Sequence, residues 1–394
     1  MSGPLSSLKV LDFSGLLPGP FGTMLLADMG ADVLRVESPN RPDLVRMFPP
    51  HEAGVSAAHA FLNRSKRGIA VDLKKPEGVE LIKKLVADYD IVVEQFRPGV
   101  MDRLGVGYEA LKAINPKIIY CSITGYGQTG PYKDRAGHDM NYLSIAGVLG
   151  YNGRKATGPV PVNVQIADVA GGSCHAVMGI LAAVIHRTQT GEGQYVDISM
   201  TDAAFTLHAL TAPPALVANM QPEPEGTQLN GGSFYDCYKT ADGRYFSVGG
   251  IEPQFFSQFC AAIGRPELAP LSMAFGNPEV VGTLKAGIAS EMEKKTYAEW
   301  EQIFLAIDSC TEPVLSFAEA CEHPQILARN LIVDVPRPDG TMQRQLGSAI
   351  KFSKTPASFR FIGTEVGSHT DEVLKEHGFD ADSIAHLRQT GVIV

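Results

Sequence analysis

Residues 8–37 read LKVLDFSGLLPGPFGTMLLADMGADVLRVE. An apolar run at 8–13 is followed by a Gly/Pro turn, a helix pattern over 20–29 and a second apolar run at 32–36. Two short apolar runs on either side of one helix make a βαβ unit with parallel strands. The alternation continues. Strand patterns stand at 69–73, 91–94 and 118–123, and Pro76 opens a helix after the first of them. Asp168 precedes an apolar helical run over 169–186, with its carboxylate expected to cap the first turn. A strand at 195–199 and a helix over 201–219, interrupted at Pro213-Pro214, come next. The expectation is an α/β fold with a large Rossmann-like domain.

The pattern changes near residue 222. QPEPEGTQLNGG at 221–232 has the composition of a linker. Beyond it, Asp242-Gly243 lies between strand-like runs at 234–239 and 245–248, a hairpin signal. Thr296 and Glu299 form a capping box before an amphipathic helix. A second hairpin surrounds Asp339-Gly340, and 370–389 is helical. These features predict a large domain over 1–222 plus 331–394 and a smaller α+β domain over 223–330.

Composition narrows the function. A chain of 394 residues with 44% hydrophobic and 20% charged residues has the balance of a soluble globular protein. A net charge of −9 argues against a general nucleic-acid binder, yet leaves room for a local basic pocket. The six cysteines show no CxxC pair and no zinc spacing, so reduced thiols and no metal are expected. The N-terminus lacks a signal-peptide pattern, and the longest apolar run, 177–185, falls short of a membrane span. A cytoplasmic protein is the expectation.

The first turn, Ser14 to Pro20, lacks the G-x-G-x-x-G spacing of a dinucleotide site, and Pro20 has no N–H for a phosphate. Ligands of α/β sheets sit at the carboxyl ends of strands. Two basic groups stand there: Arg64-Ser65-Lys66-Arg67, and Arg97 with Arg103. The first is either a solvated cluster or a ligand contact. Arg97, between a strand end and Pro98-Gly99, suits a phosphate. Gly125 to Gly130 form a flexible loop leading to His138, whose ring can take or give a proton near neutral pH. The two glycines at 171 and 172 would let a ligand approach Asp168 closely. Glu252 follows the hairpin of the small domain.

LKVLDFSGLLPGPFGTMLLADMGADVLRVESP, NRSKRGIAVDLK, VVEQFRPGVMDRLGVGYEAL, SITGYGQTGP, AGHDMNYLSIAGVLG, QIADVAGG, YDCYKTADGRYFSVGGIEPQFF and HTDEVLKEHGF together make the chain resemble the family III CoA-transferases over nearly its full length. AGHDMNY and GGIEPQF resemble the α-methylacyl-CoA racemase branch in particular. The resemblance implies an interlocked homodimer and places in lipid and fatty acid metabolism. It implies His138 and Asp168 as the acid/base pair at the α-carbon, with Glu252 orienting the histidine. It assigns Val71, Asp72, Leu73, Lys74, Gln95, Phe96, Arg97 and Arg103 to coenzyme A. It assigns Gly137, Asp139, Met140, Asn141 and Tyr142, with His138, to the loop around the thioester. Coenzyme A is part of the substrate, and no separate cofactor is implied. One departure stands at Ser38, where racemases of this group can carry an arginine near the adenine; Arg41 follows three residues on.

The implied reaction is epimerisation of a 2-methylacyl-CoA by removal and return of the α-proton through an enolate. The alternative is a family III CoA-transferase with Asp168 as nucleophile and covalent intermediates. A protein that binds CoA thioesters without catalysis is a third class. The acyl group itself is not legible.

Overall fold

The computed structural model describes residues 3–273 and 276–394. Contacts divide the chain into two compact units. The first comprises Met1–Ala146, Val162–Leu207 and Gln325–Val394; the second comprises Gly147–Pro161 and His208–Pro324. The divisions thus fall at 207/208 and 324/325 rather than at 222 and 330, and the short segment 147–161 groups with the second unit.

In the first unit, β1 (Lys9–Asp12), β2 (Asp32–Glu37), β3 (Arg67–Ala70), β4 (Ile91–Glu94), β5 (Ile119–Thr124) and β6 (Tyr195–Ser199) form one sheet. Its order is β6-β5-β4-β1-β2-β3 and every pairing is parallel. The direction of winding reverses between β1 and β4, and open parallel sheets place their ligand crevice at that reversal. The central strands are mainly apolar because both faces are covered, with the buried acids Asp12 and Glu94 closing β1 and β4. Helix α1 (Pro18–Asp28) starts where Pro18 and Pro20, with their fixed φ and missing N–H, suit a first turn. Helix α2 (Pro76–Val86) buries Leu81, Ile82, Leu85 and Val86, a stripe at helical spacing, and leaves charges outside.

Helix α3 (Asp139–Ile145) precedes a wide π-helical segment, Ala167–Cys174, that runs without a break into α4 (His175–Thr190). The combined helix packs on α1 and on β5 and β6. Its 24 residues make it the one helix among the described residues that is long and apolar enough to cross a membrane. The apolar run at 177–185 is therefore only part of a longer apolar helix. Asp168 is the second residue of the π segment, after Ile166 and Ala167, and its side chain makes no cap; the N-cap expected there is not formed. Helix α5 (Met200–Thr206) follows β6.

In the second unit, Pro213 and Pro214 do not interrupt a helix; they begin a separate one, α6 (Ala212–Ala218). Strands β7 (Asp236–Lys239), β8 (Tyr245–Val248) and β9 (Thr311–Pro313) form an antiparallel sheet. Gly243, at φ +82°, supplies the left-handed turn between β7 and β8. Helices α7 (Pro253–Ala262), α8 (Pro278–Met292) and α9 (Tyr297–Phe304) enclose an aromatic core of Phe234, Phe246, Phe256, Phe259, Trp300 and Phe304. The capping box of α9 forms as its sequence predicts: Thr296 N–H and Oγ1 both donate to Glu299 Oε2 at 2.8 Å.

The chain then returns to the first unit. Strands β10 (Ile332–Pro336) and β11 (Met342–Leu346) make the second predicted hairpin. Helices α10 (Thr370–Glu376) and α11 (Ala381–Gln389) divide the predicted terminal helix in two at Gly378, whose φ is +75°. Val373, Leu374, Ile384 and Leu387 join Leu11, Leu34, Ile82 and Val92 in one core on the α2 side of the sheet.

Candidate active site

The loop after β1 sits at the sheet reversal and is tied down on three sides. Asp12 Oδ1 accepts from Ser14 N–H at 2.9 Å and from the Ser14 hydroxyl; Oδ2 accepts from Thr23 at 2.5 Å and Lys66 at 3.1 Å. Leu16 adopts φ +59°, and its N–H is held by both carboxylate oxygens of Asp43 at 3.0 Å. Gly19 N–H donates to Gln95 Oε1 at 2.8 Å, across the reversal from β4. A Cβ at residue 19 would collide with the Ser14 side chain and stand 2.9 Å from Gln95 Oε1, which is why glycine is required. With these N–H groups engaged and prolines at 18 and 20, the loop has little backbone left to hold a pyrophosphate.

The two basic groups part company. Arg64 and Lys66 are buried, at 1% and 2% exposure. Arg64 grips Asp28 with two hydrogen bonds of 2.9 and 2.6 Å. Lys66 donates to Asp12, Thr23, Asn63 Oδ1 and Pro20 O. Neither is solvated and neither is free for a ligand, so both open readings of this cluster give way to a structural one. Arg97 and Arg103 are exposed and form no ion pair among the described residues. The turn carrying Arg97 is shaped by Glu94: its Oε2 accepts the Phe96 N–H at 2.7 Å, and Gly99 takes φ +77°. Glu94 Oε1 accepts from Ser122, which in turn accepts from Tyr195 at 2.7 Å. Burial pushes the Glu94 carboxyl up to about 7.

The 71–74 segment offers less side chain than its resemblance implies. Val71 is in the core and paired with Ile393, and Asp72 accepts from Asn40 and from Lys74 N–H. Lys74 is exposed and Leu73 half-buried. Phe96 is exposed and Gln95 is half-buried, engaged with Gly19.

His138 immediately precedes α3, exposed, with its N–H bonded to Asn141 Oδ1 at 3.0 Å. Met140 and Asn141 are exposed, whereas Asp139 and Tyr142 are buried. The glycines of the preceding loop make room for the Tyr142 ring. A Cβ at Gly125 would lie 2.6 Å from Tyr142 Cζ, and one at Gly137 would lie 2.7 Å from Cε1. The Tyr142 hydroxyl donates to Gly137 O, and Tyr126 meets its ring edge-on at 5.2 Å between centroids. Burial and the carboxyl groups of Asp168 and Asp139 push the Tyr142 phenol up to about 12, while the Arg97 charge acts in the opposite sense. Arg97 therefore lies within electrostatic reach of this cluster.

Asp168 N–H donates to Asp139 Oδ1 at 3.0 Å, so the residue beside His138 holds the backbone of Asp168. The Asp168 side chain is half-buried. Burial first, and then the Asp139 charge, push its carboxyl up to about 7. Ser173 Oγ, fully buried one turn later, lies 2.6 Å from Pro18 O and 3.2 Å from Asp168 O, so it links the π segment to the loop after β1. A widened π turn at such a point is a frequent mark of a functional site. Glu252 belongs to the second unit, exposed, at the residue before α7.

The sequence reading missed Asp12, Asp43, Glu94 and the Asp139–Asp168 bond. Each depends on partners 27 or more positions apart, or on a buried carboxylate that looks like any other acid in a linear chain. The one local hint was that the resemblance assigns both Asp139 and Asp168 to the site.

Residues 5–370 match CoA-transferase family III. At 38% identity, over 99% of this chain and 97% of the relative, the chain is similar to α-methylacyl-CoA racemase of Mus musculus. At 33% identity, over 99% of this chain and 90% of the relative, it is similar to succinyl-CoA:glutarate CoA-transferase of Homo sapiens. A solved CAIB/BAIF family protein from Brucella suis superposes with a TM-score of 0.83 at 30% identity, covering 96% of this chain and 100% of that one. The chain belongs to CoA-transferase family III and is an enzyme of that family acting on acyl-CoA.

Proposed function

We propose that the enzyme is an α-methylacyl-CoA racemase, with His138 and Asp168 as the two acid/base groups. The observation that carries this reading is the half-buried Asp168, whose N–H donates to the Asp139 carboxylate at 3.0 Å, so that burial and the Asp139 charge push its carboxyl up to about 7. A group with that affinity both keeps and releases a proton near neutral pH, which two-base proton exchange requires. A carboxylate nucleophile works better fully ionised. In one direction His138 takes the α-proton, and the C–H electron pair moves into the thioester as an enolate. Asp168 then delivers its proton to the opposite face, re-forming the C–H bond. In the other direction the roles reverse. Backbone N–H groups of 137–142 not already bonded within the turn, such as those of Asp139 and Met140 at the start of α3, would stabilise the enolate oxygen, an effect of about 3 kcal/mol per donor in comparable sites. Lys74, Arg97 and Arg103 would hold the phosphates of coenzyme A.

The second reading, CoA transfer through Asp168 as nucleophile, is favoured by the full-length similarity to a CoA-transferase at 33% identity. Incubation of a chiral 2-methylacyl-CoA in deuterated water, without an acceptor acid, distinguishes them. Deuterium at the α-carbon with epimerisation supports the racemase. No exchange, together with CoA transfer once a carboxylic acid is added, overturns it.

We further propose a homodimer. Leu210, Leu216, Val217 and Met220 are 74%, 80%, 87% and 66% exposed over one short stretch, more clustered apolar surface than a monomer usually leaves to water. Sedimentation equilibrium at twice the chain mass is the expected result. A cytoplasmic location is supported by six unpaired cysteines.

A further inference from the structure

We propose that Asp139 is the positioning residue for Asp168: its carboxylate holds the Asp168 backbone, and its charge holds the proton on the neighbouring carboxyl group. The proposal rests on Asp168 taking part in the reaction, as proposed above.

The geometry is a carboxylate bonded to the N–H of another acid, Asp139 Oδ1 to Asp168 N at 3.0 Å. Asp139 is only 7% exposed. Among the described residues neither acid has an ion-pair partner, although Asp12, Asp28, Glu37 and Asp236 all do. Two carboxyl groups held close together, partly out of water and without a cation, cannot both ionise cheaply. Asp139 is the first residue of α3, and its Oδ1 is fixed by the Asp168 N–H. Asp168 is left with the proton, consistent with its upward shift from burial and from Asp139.

The other charged or titratable groups on the elements packed against this segment are few. Asp28 on α1 is bound by Arg64. Asp197 on β6 and Asp202 on α5 are both acidic, so neither would draw the proton off Asp168. On its own helix, His175 Nδ1 bonds to Ala170 O at 2.7 Å and Cys174 is half-buried. His138, just before α3, and Tyr142 on it flank Asp139, and Arg97 is a charge of opposite sign that acts on Tyr142.

Asp139→Asn removes the charge and keeps an oxygen for the Asp168 N–H. The test is carbon NMR of ¹³C-aspartate-labelled enzyme, without substrate, with the Asp168 signal identified by its loss in Asp168→Asn. The expected result is a titration near pH 7 in the unaltered enzyme and a ten-fold or greater increase of the acid dissociation constant in Asp139→Asn. Asp139→Glu, which restores the charge, should return it toward the starting value. Asp139→Ser serves if the asparagine variant does not fold. An Asp168 titration unchanged in a folded, charge-free variant overturns the proposal. A titration that moves, in an enzyme that exchanges no α-proton, supports this role for Asp139 and sinks the racemase reading instead.

Discussion

The Lys66 ammonium stands 3.1 Å from Asp12 Oδ2 with the two side chains 1% and 0% exposed. It lies under the loop after β1, and three further oxygens complete its shell. A buried charge of this kind is tolerated because every donor has an acceptor. Removal of one partner of a buried pair leaves the other uncompensated, at about 3–5 kcal/mol. Lys66→Met is therefore expected to lower the free energy of urea unfolding by about that much. The double change with Asp12→Asn should lose less than the sum of the single changes. A Lys66→Met enzyme within 1 kcal/mol of the original by about that measure would show that the pair does not organise this region.

Arg97 is exposed, without an ion pair, on a turn shaped by Glu94. Arg97→Ala should raise KM for the thioester by about ten-fold or more while changing kcat much less, the pattern of lost ground-state binding to phosphate. Steady-state kinetics on a CoA thioester and on a truncated pantetheine analogue provide the check. An equal effect on both substrates would place Arg97 away from the phosphates.

His138→Ala should reduce deuterium exchange by about 10²–10⁴-fold from the epimer whose proton His138 removes. Washout from the other epimer, which Asp168 deprotonates, should persist to a greater extent. Measuring washout separately from each pure epimer tests this. Equal, undiminished exchange from both would remove His138 from the mechanism.

His59 is buried as a neutral ring. Its Nδ1 pairs with Asn63 Nδ2 at 3.1 Å and its Nε2 with Thr364 O at 3.0 Å. Burial, with the charges of Arg46 and Arg35, lowers its pKa to about 3. The unfolded ring titrates near 6.5. Between those values the unfolded chain binds the extra proton, so stability falls as pH drops from about 6.5 toward 3. Glu37 acts in the same direction. Burial raises its pKa, but the Arg46 hydrogen bonds and the charges of Arg35 and Arg46 bring it down to about 2, so its contribution is lost as pH falls through the acid range. His59→Gln should flatten the stability slope between pH 6.5 and 4 by about 1.4 kcal/mol per pH unit. A series of urea unfolding curves at those pH values will show whether the slope changes; an unchanged slope means His59 is not the group that charges.

Much of the fold was legible because its signals are local. The runs at 8–13 and 32–36 became β1 and β2 within two residues at each end, since an apolar run bounded by turn residues has few other fates. Asp242-Gly243 and Asp339-Gly340 marked real hairpins, because only certain residues accept the turn conformation. Less was legible where two local rules competed. Asp168 has the chemistry of an N-cap and the position of one, yet the helix starts before it and widens. The prolines at 213 and 214 could interrupt a helix or begin one, and they begin one.

The sequence by itself determined the order of strands and helices, the two hairpins, the α9 capping box and the loops that bear His138 and Glu252. These follow from periodicity, turn chemistry and capping, which act over a few residues. Tertiary structure alone decided which charges are available. Arg64 and Lys66 look like a surface cluster in the chain but are enclosed and paired, whereas Arg97 is left exposed. It also brought Asp139 to Asp168, 29 residues apart, with Oδ1 against N–H. The physical reason is that desolvation and Coulomb interaction depend on distance and burial in space, and neither is written in the spacing of residues along the chain.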